Sequence, residues 1–259
     1  MSWKQTLVRA TLLPILPIVR ALVAADRWQV RRYGTRQKAA EMCFLAVWEI
    51  ERRNWGDAAF MAKRAILADA TLGDGYALLG YIYCQQGAVA HARTTYLRGL
   101  EVDPNHRQIA MKLGDLEFTQ GNYRDAEIAY RRALALRQDE PAVLEKLAQI
   151  ASGQGRLDEA ATILERLRVL SPDNADTLMQ IGLIRVQQGN LDTALELFSE
   201  SLKHDHKQAH AHYHQARILA TLGRQESARD AVRRAIRLDP ENDNYREFLG
   251  SLSRSHDQR

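Results

Sequence analysis

The sequence predicts an all-α solenoid, a stack of helical hairpins, because three columns of residues recur at a spacing of 34. The first column is alanine throughout: Ala58, Ala92, Ala126, Ala160, Ala194 and Ala228. The second holds only small residues: Ala46, Gly80, Gly114, Ala148, Gly182 and Ala216. The third is glycine, with Arg53 in its place in the first repeat: Gly87, Gly121, Gly155, Gly189 and Gly223. The hydrophobic share of 46% excludes a disordered chain, and no segment alternates like a strand.

Each repeat is predicted to be a helix, a short turn and a second helix. The glycine lies between two helix-patterned stretches and can adopt the left-handed backbone that ends the first helix. Proline ends the second helix in three repeats, at Pro104, Pro172 and Pro240. The small columns let paired helices approach closely, and larger residues fill the space beside them. These larger residues are Tyr96, Tyr130, Leu164, Phe198 and Val232.

The second repeat carries a family resemblance. Its signature residues resemble those of the tetratricopeptide repeat, with Tyr76 where that family often has tryptophan: Tyr76, Leu79, Gly80, Tyr83, Ala92, Tyr96 and Pro104. The resemblance covers six units: 39–72, 73–106, 107–140, 141–174, 175–208 and 209–242. Arg53 and Ala70 in the first unit, and Gln138 and His206 later, depart from the signature. Residues 243–259 are predicted to form a capping helix and a polar tail.

The resemblance implies a right-handed superhelix whose concave groove, built from the first helix of each unit, binds peptides or helices of partner proteins. The groove residues are expected to be those that the packing columns leave free: Cys43, Phe44, Val47, Ile50, Ala77, Tyr81, Cys84, Met111, Lys112, Asp115, Lys146, Gln149, Met179, Leu183, Tyr213, His214 and Arg217. An apolar strip that continues into polar anchors suits an amphipathic or extended peptide. The alternative is that individual members pack against neighbouring units.

One partner class of the family can be tested on the sequence. Tetratricopeptide co-chaperones hold a C-terminal carboxylate with lysine, asparagine and arginine side chains on three successive first helices. No three successive units here supply that set. The resemblance therefore implies a ligand other than a chaperone tail.

Five histidines crowd into eleven residues: His204, His206, His210, His212 and His214. His210 and His214 stand one helical turn apart, a spacing that can bind a transition metal. No cysteine or pair of carboxylates nearby completes a closed zinc site. The favoured interpretation is an exposed polar helix start with His212 in a packing column, and we expect no metal.

No catalytic motif is present: the sequence has no phosphate-binding glycine loop, no HExxH and no nucleophile elbow. We therefore expect no enzyme activity, no cofactor and no small-molecule substrate. Cys43 and Cys84 lie about 10 Å apart along the helix direction in repeat register, too far for a disulfide. Two lone thiols fit a reducing compartment.

Residues 1–38 form a leader of different character. It carries eight basic residues and one acid, a net charge of +7, whereas the rest of the chain has a net charge of −3. Its apolar stretch from Ala10 to Ala25 is broken by Pro14 and Pro17 and is shorter than the roughly 20 residues that span a bilayer. Nucleic-acid binding is not expected, because the repeats are slightly acidic and the leader is too apolar for a basic arm.

Three interpretations of the leader remain open. It could be an in-plane anchor on an anionic membrane, with interface residues Trp3, Arg20, Arg27, Arg31, Arg32 and Arg36. It could be a cleaved targeting peptide, with Val23, Ala24 and Ala25 as the cleavage motif. It could also fold as extra helices that cover the first unit.

The sequence as a whole predicts a scaffold or adaptor for a protein or peptide partner, acting in the assembly of a membrane-associated complex. The alternative is a permanent structural subunit of a multiprotein complex. The expected location is the cytoplasm, peripheral at the inner membrane. If the leader is cleaved, the protein is expected to be exported or organellar instead.

Overall fold

The computed structural model describes residues 35–137 and 139–254, and every regular element in those ranges is an α-helix. The helices are α1 Thr35–Glu51, α2 Trp55–Ala68, α3 Gly73–Gln85, α4 Val89–Val102, α5 Arg107–Thr119, α6 Tyr123–Leu136, α7 Pro141–Gly153, α8 Leu157–Leu170, α9 Ala175–Gln187, α10 Leu191–His204, α11 Ala209–Thr221, α12 Gln225–Leu238 and α13 Asp243–Arg254. The prediction of an all-α solenoid is confirmed for the described residues. Helix α1 begins at Thr35, so residues 35–38 of the predicted leader belong to it.

The turn inside each hairpin has a left-handed residue at the predicted position. The five glycines of the third column have φ between +71° and +80°. At the first of these turns the amide of Gly87 donates to the carbonyl of Cys84 at 3.0 Å, and that of Ala88 donates to Tyr83 at 2.9 Å. These bonds satisfy carbonyls that the end of α3 would otherwise leave open. Arg53 adopts the same conformation, with φ of +59°.

The alanine column lies where two helices of a hairpin meet. All six of its members, from Ala58 to Ala228, are fully buried. The larger residues four positions later are also buried, and Tyr96, Tyr130 and Phe198 are among the largest side chains with less than 2% exposure. Burial of this kind is the main favourable contribution to folding, about 25 cal/mol per Å² of apolar surface. The predicted packing columns are thus the core.

The described helices group into two compact units, one ending at Leu116 and the other beginning at Glu117, so that the division falls within α5. In the first unit, Ala46 and Ala58 pack with Leu79 and Ile82 of the next repeat. Stacking of neighbouring repeats in this way builds one continuous core from pieces that could not bury their apolar faces alone.

In the second unit, a core around Leu144, Leu164, Leu178 and Ile181 joins two successive repeats. Helix α13 covers the apolar end of the sixth repeat, where its Tyr245 and Leu252 are 1% and 5% exposed. The guanidinium of Arg229, itself only 9% exposed, donates to the carbonyl of Leu252 at 3.1 Å. This bond holds the end of α13 against α12.

Candidate functional site

The first helices of the repeats carry the residues proposed to bind a partner, and we call the surface that they form the first-helix face. On α1, Phe44 and Val47 are 61% and 42% exposed, and they lie one turn apart on the same side of the helix. Ile50 is half-buried against the core. Cys43 is only 8% exposed, so it supports this surface from beneath and offers almost nothing to a partner.

The same face continues on α3 and α5 in the first unit. The ring of Tyr81 meets that of Trp55 edge-on, with centroids 6.5 Å apart, which fixes its orientation. Lys112 Nζ and Asp115 Oδ2 form an ion pair at 3.1 Å with nearly half of each side chain exposed. Ala77, Met111 and Cys84 are half-buried beside them. The surface therefore combines an aromatic ring with both signs of charge.

The two cysteine thiols are held in their protonated form. Burial raises the pKa of Cys43 to about 11, and the nearby Asp74 carboxylate adds to the effect. Burial also raises the pKa of Cys84, whose Sγ lies 3.8 Å from the hydroxyl of Tyr96. Both are free cysteines. Because the thiolate is the nucleophilic form, neither thiol is activated for chemistry.

In the second unit, a cation lies over an aromatic ring at the start of the first-helix face. Lys146 Nζ on α7 is 4.6 Å from the ring centroid of Phe118, and that ring meets Tyr123 edge-on at 5.5 Å. Gln149, one turn further along α7, is exposed. Phe118 was not among the predicted residues, because it lies one residue before the end of α5, outside the positions counted from the packing columns.

Residues on α9 and α11 pack more than the sequence suggested. Met179 and Leu183 are half-buried against the core around Phe198. Tyr213 contacts Tyr245 and Phe248 of α13, with ring centroids 4.8 and 5.6 Å away. The capping helix thus engages part of the expected groove, which is the alternative that the sequence left open for individual members.

His214 and Arg217 complete this end of the face. His214 stacks on Phe198, with centroids 5.9 Å apart and planes 17° from parallel. Burial lowers the pKa of His214 from 6.5 to about 4, and Arg217 and His210 act in the same direction. Arg217 is exposed, and its guanidinium lies 5.8 Å from the ring centroid of Tyr213. Arg217 is thus an exposed cation beside packed aromatic rings.

The histidines that lie close together in the sequence have different environments in the structure. Across residues 35–137 and 139–254, no three His, Cys, Asp or Glu side chains converge as metal ligands. His212 occupies a packing column at 7% exposure, and its Nε2 donates to the carbonyl of His206 at 3.3 Å. His210 contacts the ring of Tyr245 edge-on at 6.0 Å.

Most of the proposed membrane-interface residues lie outside the described part of the chain: Trp3, Arg20, Arg27, Arg31 and Arg32. Arg36 is exposed in the first turn of α1. None of the helices described here is both long and apolar enough to cross a membrane.

Comparison with known families agrees with the helical hairpins. Residues 111–175 and 179–243 match a family model described as the tetratricopeptide repeat, and residues 73–106 match a second model of that description. No curated protein sequence matches the chain significantly.

Several solved structures are similar in fold. YrrB, described as a tetratricopeptide repeat protein with an unusual peptide-binding site, aligns with a TM-score of 0.65 at 19% identity, over 72% of this chain and 96% of its own. PilF of Pseudomonas aeruginosa aligns at 0.66 and 16%, over 85% and 100%. MamA of Desulfovibrio magneticus aligns at 0.60 and 15%, over 66% and 97%. Identities this low establish the fold alone.

Proposed function

Because the chain belongs to the tetratricopeptide repeat family, we propose that it is an interaction scaffold whose first-helix face binds a peptide or helix of a partner protein. The observation that carries this proposal is the exposed aromatic and apolar surface of the first unit. Phe44 and Val47 on α1 are 61% and 42% exposed, although a polar residue at either position would be compatible with the repeat. Exposed apolar surface of this kind is typical of interaction sites.

The mixed character of the face supports an amphipathic ligand. In the first unit the apolar pair on α1 is followed by Tyr81 and by the ion pair of Lys112 and Asp115. In the second unit Lys146 and Arg217 add cations, each over an aromatic ring. Apolar anchors of a peptide would complement the surface of the first unit, and an acidic segment would complement the cations of the second. YrrB, which has the same fold, is described as having a peptide-binding site, and this is consistent with the proposal.

The proposed role assigns no catalytic chemistry to the chain. The thiols of Cys43 and Cys84 have raised pKa values, and His214 is neutral and stacked at physiological pH. We propose that the protein works without a cofactor, in the cytoplasm, and that the basic leader holds it at the inner face of a membrane. The net charge of +7 over residues 1–38 supports that location.

Peptide selection on the full-length protein tests the role of the first-helix face. Peptides enriched from a displayed random library would be synthesised, and their dissociation constants would be measured for wild type and for Phe44→Ala/Tyr81→Ala. We expect the double variant to bind at least about tenfold more weakly, the loss of about 1.4 kcal/mol that one aromatic anchor commonly contributes. Far-ultraviolet circular dichroism should show unchanged helix content.

Phe60→Ala is the matched control, because Phe60 lies on the second helix of the first repeat and is 54% exposed, close to the value for Phe44. It should leave peptide affinity unchanged. Equal affinity of wild type and the Phe44→Ala/Tyr81→Ala variant would remove the first unit as the binding site. A selection that enriches no peptide would favour the alternative of a permanently built-in subunit.

A further inference from the structure

A cavity of about 500 Å³ lies between the second helices of the fifth and sixth repeats, α10 and α12, with α11 contributing to its wall. Its polar lining is basic, amide or hydroxyl in character: Ser199, Lys203, His206, His212, Gln215, Arg234 and Arg237. No Asp or Glu lines it. The residues proposed for the first-helix face are also absent from its wall, so the cavity is a separate feature of the second unit.

Three cations at this cavity have no counter-charge. Lys203, Arg234 and Arg237 form no ion pair with any residue that the structure describes. Their neighbours behave differently: Arg233 pairs with Asp230 at 3.4 Å, and Arg168 pairs with Glu200 at 3.2 Å. Two arginines of α12 and one lysine of α10 therefore line one cavity without an ion-pair partner among the described residues.

A buried imidazole nitrogen in the cavity wall also lacks a partner. The Nε2 atom of His212 must carry its hydrogen, because the carbonyl of His206 can only accept. The Nδ1 atom is buried and has no hydrogen-bond partner within the described residues. A buried polar atom left unsatisfied destabilises the fold, so His212 is an unusual residue for this packing position.

Two packing columns change from apolar to polar at this cavity. At the register of His212 the five earlier repeats have Met42, Tyr76, Ala110, Leu144 and Leu178. At the register of Gln215 they have Leu45, Leu79, Leu113, Leu147 and Ile181. Both changes occur in the sixth repeat, and both residues line this wall. Departures from a packing rule that coincide in one place are typical of functional sites.

The first unit contains the corresponding cavity and serves as an internal comparison. It measures about 370 Å³, and Leu67, Tyr76 and Leu79 line it in the places of Lys203, His212 and Gln215. Lys63 and Arg98 also line it, in the places of Ser199 and Arg234. Both cavities therefore contain cations, and the cavity of the second unit differs by Lys203 and Arg237, where the corresponding positions of the first unit have Leu67 and Glu101. The register shared by Lys203 and Arg237 is basic only in the fifth and sixth repeats, whereas the arginine at the register of Arg234 recurs in the first four.

We propose that the cavity between α10 and α12 binds a phosphomonoester, with its phosphate group among Lys203, Arg234 and Arg237. A phosphate dianion matches three cations better than a carboxylate with one charge, and its oxygens suit guanidinium donors. The volume exceeds that of a phosphate group alone, and Leu202 and Leu238 provide apolar wall for the organic part of the ester.

Calorimetric titration of the full-length protein at constant ionic strength tests whether the cavity between α10 and α12 binds a phosphomonoester. Phenyl phosphate should bind at least about tenfold more tightly than benzoate, an aromatic monoanion of similar size. A short peptide with a central phosphoserine distinguishes the source of the ester: tighter binding of the peptide indicates a phosphorylated protein, and tighter binding of phenyl phosphate a small phosphorylated molecule. Absence of binding by both phosphates at millimolar concentration overturns the proposal.

The charge of the cavity is tested by paired variants. Arg234→Gln/Arg237→Gln should weaken phenyl phosphate binding at least about tenfold, and Lys203→Gln, an exposed position on the other helix, should weaken it as well. Arg233→Gln on the same helix should have no effect, because Arg233 pairs with Asp230 and does not line the cavity. Equal weakening by Arg233→Gln and by the cavity variants would show only general attraction to a basic surface and would overturn the site.

Discussion

The ring of Phe198 lies against the backbone of Gly182 so closely that a β-carbon on Gly182 would be 2.8 Å from the Cε1 atom of the ring. Tyr96 covers Gly80 in the same way, and in both repeats the ring follows the glycine by 16 residues. Where the small residue is alanine, its counterpart is aliphatic, as in Ala148 with Leu164. In these repeats, therefore, a glycine in the small-residue column is paired with an aromatic ring, and an alanine with an aliphatic side chain.

Gly182→Ala should therefore destabilise the second unit by about 1–3 kcal/mol, because the added methyl forces the ring of Phe198 out of its place. Urea denaturation followed by circular dichroism measures the change. Phe198→Leu in the same chain should recover part of the loss, since it reproduces the pairing of the fourth repeat. Gly153→Ala is the control, because nothing lies within 4 Å of a β-carbon at Gly153. A cost for Gly182→Ala no larger than that of the control would contradict the pairing.

The sequence predicted the structure best at positions where every hairpin has the same steric requirement. Closely approaching helices need a small residue at the same place in every hairpin, so the buried columns could be read from their spacing, as could the left-handed turns. The first-helix face was harder to predict, because its residues depend on what lies next to them. Tyr213 is engaged by Phe248 only because α13 ends the stack there.

Contacts between repeats that do not recur along the chain leave no periodic pattern, so they could not be predicted from the sequence. The guanidinium of Arg156 bridges Glu127 of the third repeat, at 2.6 Å, and Glu159 of the fourth, at 2.5 Å. The cavity at His212 has a counterpart in the first unit, but its polar lining could be recognised only once the register of three helices was known in space. The sequence did show His212 and Gln215 as polar exceptions in their columns, and these were the available signals for that lining.

Arg53 holds a backbone conformation that glycine holds in every later repeat, with φ of +59°. A left-handed conformation costs an L-residue about 1–2 kcal/mol. Glycine avoids this cost, but it loses more conformational entropy on folding, which offsets part of the gain. Arg53→Gly should thus stabilise the first unit by about 0.5–1 kcal/mol, measured as a raised denaturation midpoint. Gly121→Ala should have the opposite effect by a similar amount. A lowered midpoint for Arg53→Gly would show that the arginine side chain stabilises the turn in another way.

His214 should make stability depend on pH. Its pKa in the folded protein, about 4, is below the unfolded value of 6.5, because burial disfavours the charged ring. Between these values the unfolded chain binds a proton that the folded chain does not. The stabilisation is therefore complete above pH 6.5 and is lost as pH falls towards 4.

His214→Phe should remove this dependence while keeping a ring stacked on Phe198. Allowing for the partial exposure of His214, we expect wild type to lose about 1 kcal/mol more than the variant between pH 7 and pH 5. Urea denaturation at the two pH values measures the difference, and the other histidines cancel because both proteins carry them. Equal losses in the two proteins would show that His214 does not titrate as its burial indicates.

The leader provides the last prediction, from the net charge of +7 over residues 1–38 beside an apolar stretch broken by Pro14 and Pro17. An anchor of this kind binds by two contributions, electrostatic attraction to anionic lipid and burial of Trp3 and neighbouring leucines in the interface. The first is screened over about 10 Å at 0.1 M salt, and the second is not. Flotation with anionic liposomes should therefore weaken as salt rises but retain a salt-resistant remainder.

Replacing Arg27, Arg31, Arg32 and Arg36 by glutamine should remove up to about 4 kcal/mol of attraction to anionic liposomes, about 1 for each charge, and flotation should fall strongly. The matched control carries the same charge change on exposed arginines of the repeats, Arg124, Arg137, Arg224 and Arg233, and should still float with the liposomes. Equally poor recovery of wild type with neutral and anionic liposomes would contradict the anchor and favour a helical cap. Mass spectrometry of the protein from its native cell, if it found an N-terminus near Asp26, would instead identify residues 1–25 as a cleaved targeting peptide.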